Sequence, residues 1–274
     1  MKKCLIIARN TFREAIRDRI LYLIAVFAIV IIVMSKALGW VSVERDAEII
    51  GDLSLFAISL LCLVLAIFVG TGLIYKELDK RTIYTILSKP VERWQFVIGK
   101  YLGLVLVISL MALGMEVFLI LFLGLQGYLP SGEALRVFLY ALILIHGEIF
   151  IITAVAITLS LITSPVLSAV LTLVVWLAGN SSQELVNLAN TFALLAEDGD
   201  QKFLVFGEKV SRAVYVVTPH LNYFSEFKRY AFWPDPRALA EIDMLTVGGR
   251  MGYAVAYAGV MLCVSVLIFR RRSF

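Results

Sequence analysis

The sequence has little of what soluble enzymes use to build their surfaces and active sites. Charged residues make up only 17% of the 274 residues, whereas an average soluble domain carries about 25%. There are two histidines and three cysteines, and their spacing fits neither a metal site nor a disulfide framework. These shortages exclude an ordinary soluble fold and leave no basis for a metal or haem centre.

Motifs for catalysis and nucleotide binding are also missing. The sequence contains no H-E-x-x-H zinc motif, no G-x-S-x-G nucleophile motif and no phosphate-binding loop. Gly99-Lys100 lacks both the upstream glycine and the following hydroxyl residue of such a loop. No aspartate falls within the membrane spans predicted below. We therefore expect no enzymatic activity and no cofactor in this chain, and an intramembrane enzyme is the least favoured functional class.

Apolar residues are what the sequence has in excess. They make up 61% of the chain, and the mean hydropathy is +0.90. Runs of about 18 or more apolar residues can cross a hydrocarbon core about 30 Å thick. The sequence predicts an all-α membrane protein, one transmembrane domain over 1–274, with six spans at about 20–38, 53–75, 101–125, 137–162, 166–180 and 251–269.

The fifth apolar run is short for a span. As a helix, residues 166–179 extend only about 21 Å. Two alternatives follow: the helix continues beyond Asn180, or the bilayer thins locally. Trp176 and Asn180, near the end of this run, either line a gate or anchor the helix at the interface.

Basic residues predict the orientation. Residues 1–19 form a basic amphipathic helix, which is expected to lie in the interface on anionic lipid. This helix, the 76–100 segment and the C-terminal tail hold six, six and three Lys or Arg residues, whereas the 39–52 and 126–136 links hold one each. The positive-inside rule therefore predicts cytoplasmic termini in the cytoplasmic (inner) membrane and places 181–249 outside.

The external 181–249 segment has two amphipathic stretches, one around 185–195 and one at 210–217. Its aromatic residues suggest a segment that skims the outer membrane surface. The alternative is a cap that binds an extracytoplasmic partner. The aromatic cluster comprises Tyr215, Tyr223, Phe224, Phe227, Tyr230, Phe232 and Trp233.

Residues 76–100, KELDKRTIYTILSKPVERWQFVIGK, form the most informative segment. Two amphipathic stretches flank Pro90, and the second leads into the third span. A helix–proline–helix unit on the cytoplasmic face offers an apolar ridge that suits a groove in a soluble partner. The alternative is an ordinary interfacial loop.

This segment closely resembles the cytoplasmic signature of ABC-2 type permeases. The match runs from Glu77 through Arg81-Thr82-Ile83 and Leu87-Ser88-Lys89-Pro90-Val91 to Gly99-Lys100. The stretch ARNTFREAIRDR resembles the elbow helix of that family, and residues 269–274 resemble its basic tail, with Ser273 where an acidic residue is frequent. The resemblance implies a coupling helix whose ATPase-contacting residues are Glu77, Arg81, Thr82, Tyr84, Leu87, Lys89, Pro90 and Arg93.

The resemblance also implies the partners. The chain would be the permease subunit of an exporter, paired with a second copy or a paralogue and with an ABC ATPase subunit that holds ATP and Mg. Nucleic acid is not an expected partner. The main alternative is a secondary transporter or channel, although no inverted repeat is evident.

Three ionisable residues fall within the predicted spans. Such residues are costly in lipid and mark candidate functional sites. We predict that Glu116, His146 and Glu148 belong to a translocation path, and that Glu116 and His146, at similar depth, form a pair. The alternative is a pair that only locks two helices together or is wetted by the dimer cavity. Gly99 and Gly103 are expected to permit close helix packing.

Overall fold

A computed structural model describes residues 2–39, 46–79, 92–197, 202–232 and 242–271. These residues are almost entirely helical, as the sequence predicts. In chain order the helices are α1 (Lys2–Ile16), α2 (Arg19–Gly39), α3 (Asp46–Asp79), α4 (Arg93–Gln126), α5 (Glu133–Ser160), α6 (Pro165–Asn180), α7 (Ser182–Glu197), α8 (Lys202–Val217), α9 (Asn222–Phe232) and α10 (Met244–Arg271).

Helices α2, α3, α4, α5 and α10 are long and apolar enough to cross a membrane. The short helix α6 and the following α7 pass the same test together, but they are bent by 69° between Asn180 and Ser182. Counting this bent pair as one span gives six. Helix α6 thus ends at Asn180, and the chain continues as a second helix in another direction. The expected uninterrupted helix through Ser181 is not observed.

Local sequence explains where several helices end. Helix α4 stops at Gly127, which has a φ of 73°, a left-handed conformation that glycine adopts without steric cost. The N–H groups of Gly127 and Tyr128 donate to the carbonyls of Gly124 and Leu123, which is the Schellman pattern. Helix α6 starts with Pro165, where the missing N–H costs nothing.

Helix α5 forms the centre of the bundle. In its most apolar stretch 78% of the residues are buried, against 22% in α10 and 28% in α2. Helices α3, α4, α6, α9 and α10 all pack against α5. The helices with low burial present apolar side chains outward, as expected where lipid is the solvent.

The amphipathic helix α1 lies along the start of α4. Glycines at the crossing make the close approach possible. A Cβ atom at Gly99 would lie 2.8 Å from the Ile7 side chain, and one at Gly103 would lie 2.6 Å from the Ala8 carbonyl oxygen. The predicted packing role of these two glycines is confirmed.

The segment after α6 departs from the prediction. Helices α7 and α8 pack against each other as an amphipathic hairpin, near the expected stretches. Helix α9 instead packs against α3 and α5, and Phe224, Phe227 and Phe232 are buried in the core. The predicted membrane-skimming role is therefore wrong for these three residues. The aromatic composition suits a buried helix equally well, and only the packing distinguishes the two.

Glycines again allow the approach of α9. A Cβ at Gly147 would meet the Phe224 ring at 2.6 Å, and a Cβ at Gly51 would overlap the Phe232 ring. Bare backbone on α3 and α5 therefore provides the space into which the phenyl rings of α9 fit. This packing brings the polar residues of α9 close to the middle of α5.

Candidate functional site

Most residues of the expected ATPase-contacting set lie outside the described residues. This applies to Arg81, Thr82, Tyr84, Leu87, Lys89 and Pro90. Glu77 falls within α3, but its side chain is also outside the described part. Their role stays a prediction.

Arg93 is the member of that set whose side chain is described. It is the first residue of α4, and its Nη1 donates to the carbonyl oxygens of Phe269 at 2.8 Å and Arg270 at 2.9 Å. The guanidinium also lies 5.9 Å from the centre of the Phe269 ring. A cation at the last carbonyls of a helix is favourable because these groups carry the negative end of the helix dipole. Arg93 therefore ties the start of α4 to the end of α10.

A second contact strengthens the same end of the bundle. The ring of Phe96 stacks on that of Phe269 with centroids 5.7 Å apart. One turn further along α4, the buried ammonium of Lys100 lies 3.8 Å from a carboxylate oxygen of Glu14 in α1. Helices α1, α4 and α10 thus form one packed unit around the start of α4.

Glu116 of α4 and His146 of α5 come together inside the bundle. Glu116 Oε1 lies 3.7 Å from His146 Nδ1, and their side chains are 5% and 17% exposed. The same His146 nitrogen is 3.2 Å from the Leu142 carbonyl oxygen. Among the described residues, Glu116 Oε1 and His146 Nε2 have no hydrogen-bond partner. The contact is therefore close but incompletely satisfied.

Glu148 lies in a different and much better satisfied environment. Its Oε2 accepts a hydrogen bond from Lys228 Nζ at 2.7 Å, and its Oε1 accepts one from the Trp176 indole at 2.8 Å. Lys228 Nζ also donates to Ser59 Oγ at 2.5 Å. The cluster joins α3, α5, α6 and α9 in one network of charged and polar side chains.

The charged side chains of this network are buried, so breaking the network should affect stability. The side chains of Lys228 and Glu148 are 11% and 6% exposed. Removing one partner of such a pair leaves an uncompensated buried charge, which is strongly destabilising. The network therefore fixes the position of α9 against the core helices.

A cavity of about 400 Å³ adjoins the network. Its walls come from α3, α6 and α9 and from the bend between α6 and α7. Trp176, Ser59 and Lys228 line it, so the indole and the ammonium that bind Glu148 also face this space. The full lining is Asp52, Phe56, Ser59, Trp176, Leu177, Asn180, Ser181, Ser225 and Lys228.

Lys228 is the site residue that sequence reasoning missed, because the 181–249 segment was expected to lie outside the bundle. The spacing of apolar residues in this segment does contain a signal for Lys228. Phe224, Phe227 and Ala231 recur at helical spacing, and Lys228 falls on the same stripe, four residues after Phe224. A lysine on an apolar stripe would suggest an anionic partner in the core, here Glu148.

Trp176 and Asn180 can also be assigned to a location. Trp176 is buried and hydrogen-bonded to Glu148, so it does not anchor α6 at an exposed interface. Asn180 lines the cavity at the end of α6, and its Nδ2 donates to the Trp176 carbonyl oxygen at 3.1 Å. Both residues therefore line the cavity, and a gate formed by them stays a prediction.

Comparison with known families covers almost the whole chain. Residues 5–274 match the family model described as ABC-2 family transporter protein. A search of curated proteins returned no match. The family match, the apolar spans and the helical bundle agree with one another, and this multi-pass membrane protein belongs to the ABC-2 family of transporter proteins.

Proposed function

We propose that this chain is the permease subunit of an ATP-driven exporter and couples to a separate ATPase subunit through residues 76–100. The observation that carries the proposal is the family match over residues 5–274. The absence of a phosphate-binding loop from the sequence supports an ATPase supplied by another polypeptide. A second copy or a paralogue of the chain would complete the translocation path.

The two ends of the bundle differ in structure, which supports a different role for each end. At one end lie the end of α3, the start of α4 and the unit formed by α1, α4 and α10. At the other end lie α7, α8 and the contact between Lys36 and Gln126, whose side chains are 2.5 Å apart. In the proposed orientation the first end is cytoplasmic and meets the ATPase, while the second faces outward.

We call residues 76–100 the docking segment. The contacts of Arg93 suggest how a displacement of this segment reaches the membrane spans. A displacement of residues 80–92 would be transmitted to α4 directly and to α10 through the guanidinium and the stacked rings. Helix α10 packs in turn on α5, where Thr158 Oγ1 and Ser265 Oγ are 2.7 Å apart. ATP can drive the change only if the docking segment binds the two ATPase states with different affinity.

We further propose that Glu116, His146 and Glu148 lie on the translocation path. The ion pair between Lys228 and Glu148 supports adding Lys228 to this set.

The proposal is tested by charge reversal in the docking segment. Arg81→Glu and Leu87→Glu are each expected to abolish co-purification of the ATPase subunit and its stimulation by the permease. Lys209→Glu, an exposed charge reversal on α8 at the opposite end, serves as the matched control and should leave both unchanged. Retention of both properties in the Arg81 and Leu87 variants would refute docking through this segment.

A further inference from the structure

The cavity beside the Glu148–Lys228 pair has the features of a binding site. Its volume of about 400 Å³ falls in the range of small-molecule pockets, roughly 300–1,000 Å³, which are mostly apolar with a few placed polar groups. Phe56, Trp176 and Leu177 supply the apolar surface. The polar groups come from α3, from α9 and from the end of α6.

Apolar side chains at the rim connect the cavity with the exposed apolar surface of the bundle. Phe56 on α3 and Leu177 on α6 both line the cavity and are both 52% exposed. Both lie on helices that the apolar sequence assigns to the membrane. An apolar tail could therefore contact these side chains without leaving the hydrocarbon region.

Hydrogen-bonding groups define the other part of the cavity. Lys228 carries three N–H donors, and in the described contacts Glu148 and Ser59 accept two of them. The third is available to an acceptor in the cavity. Asn180, at the end of α6, and Ser225, on α9, also line the cavity.

The charges around the cavity indicate which kind of ligand head group can bind there. Glu148 already neutralises Lys228, and Asp52, the other charged residue of the lining, has an interaction partner of its own. An anionic group that approached the ammonium would therefore also approach buried carboxylates. Like charges in a low-dielectric site repel strongly. A cationic group would face the ammonium of Lys228 and offer it no acceptor. An uncharged group with hydroxyl or carbonyl oxygens meets neither penalty.

We propose that this cavity binds an uncharged amphiphile, with its apolar tail against Phe56 and Leu177 and its oxygen-bearing head group hydrogen-bonded to Lys228 and Asn180. The inference rests on the proposed function in one respect: the ligand would be the exported molecule or a bilayer lipid on the export path. Binding itself requires only the chain in a membrane.

Trp176 provides a built-in reporter of occupancy. The chain has four tryptophans, and replacing Trp40, Trp94 and Trp233 with Phe leaves only the indole in the cavity wall. The full-length protein is placed in lipid nanodiscs and titrated with brominated dodecyl maltoside, whose bromine atoms quench a tryptophan that they contact. We expect quenching that saturates, above the linear background from probe dissolved in the lipid.

Two variants test the location of the site. Ser225→Phe fills the cavity and should abolish the saturable component. Gly252→Phe adds the same ring to α10 at a position with nothing within 4 Å of an added Cβ, and it should leave the titration unchanged. Asn180→Ala, a milder change, removes one neutral hydrogen bond and should weaken the apparent affinity about two- to tenfold.

Three probes with the same tail test the head group. Brominated dodecanoate and brominated dodecyltrimethylammonium are both expected to bind more weakly than the maltoside. Tighter binding of either charged probe would overturn the assignment of an uncharged ligand. Quenching that stays linear, or that saturates equally in Ser225→Phe, would overturn the site itself.

A further arm separates the two sources of ligand. Nanodiscs that contain a brominated galactosyl diacylglycerol report occupancy by a bilayer lipid: Trp176 is then quenched without any added detergent, and less so in Ser225→Phe. Saturation by the maltoside alone indicates a ligand other than bilayer lipid. Because no ATPase is present, failure here leaves the docking experiment on Arg81 and Leu87 unaffected, and failure of docking leaves this binding result intact.

Discussion

Glu116 and Glu148 are two buried carboxylates on neighbouring helices, and their surroundings differ sharply. Glu148 receives hydrogen bonds from an ammonium and an indole, at 2.7 and 2.8 Å. Glu116 has a histidine nitrogen at 3.7 Å and an oxygen without a hydrogen-bond partner among the described residues. The first arrangement holds four helices together, whereas the second contributes little to cohesion. Equal burial therefore does not imply an equal role.

The largest expected effect comes from removing the cation beside Glu148. Lys228→Met leaves the carboxylate buried without its countercharge and should lower the free energy of unfolding by about 3–5 kcal/mol. Lys228→Met combined with Glu148→Met removes both charges and should recover most of that loss. Chemical unfolding in mixed micelles measures both values. A double variant as unstable as the single one would show that the charge pair is not the cause.

Removing the indole donor should have an intermediate effect. Trp176→Phe keeps an aromatic ring but deletes the hydrogen bond to Glu148, and we expect a loss of about 1–2 kcal/mol by the same unfolding assay. Trp94→Phe is the matched control, because it deletes an indole–carboxylate hydrogen bond to Glu92 at an exposed position. Equal losses in the two variants would indicate that burial gives the bond between Trp176 and Glu148 no additional weight.

The hydroxyl that accepts from Lys228 should matter less. Ser59→Ala removes one acceptor of an ammonium that keeps Glu148, so the expected loss is about 0.5 kcal/mol, typical of an interhelical hydrogen bond in a membrane. Introducing Ser59→Ala into the Lys228→Met background should then cost nothing further. An additional loss there would place the role of Ser59 outside the network.

The smallest effect is expected at the other carboxylate. Glu116→Gln preserves shape and replaces a buried carboxyl group whose contact with His146, at 3.7 Å, is incompletely satisfied, so the free energy of unfolding should change by less than about 0.5 kcal/mol. Glu148→Gln under the same conditions should cost several times more. If Glu116→Gln proved as destabilising as Glu148→Gln, the contrast between the two sites would be lost.

A transport assay tests whether Glu116 has a role in transport besides its effect on stability. Once a substrate is known, Glu116→Gln is expected to impair transport more than stability, as predicted for a residue on the translocation path. Transport that stays normal while folding is impaired would instead support the alternative that Glu116 and His146 only lock two helices together.

Much of the fold could be predicted from the sequence. Apolar runs long enough to cross the bilayer identified five spans that the structure contains as long helices, because a helix in lipid must satisfy its own backbone. The short fifth run was recognised as unusual from its length alone. The close packing at Gly99 and Gly103 was also predictable, because small residues mark helix contacts in membranes.

The candidate site was only partly predictable. Ionisable residues are rare in membrane spans because a charge in lipid is energetically costly. This rarity identifies Glu116, His146 and Glu148 as candidate site residues. It does not say which partner each finds. Lys228 is about 80 residues from Glu148 in the chain, and its segment has the polar, aromatic composition of an interfacial loop.

By itself, the sequence determined the apolar, membrane-spanning character of the chain, the approximate position of the five long spans and the family, because these depend on local hydrophobicity and on a continuous motif. Only the tertiary structure decided that α9 enters the bundle, that Lys228 neutralises Glu148 and that Arg93 binds the end of α10. The reason is physical. Hydrophobic burial has no direction, so the composition of a helix is enough to indicate whether it lies in lipid or in water. The pairing of buried charges requires specific distances, and these arise only when distant segments of the chain pack together.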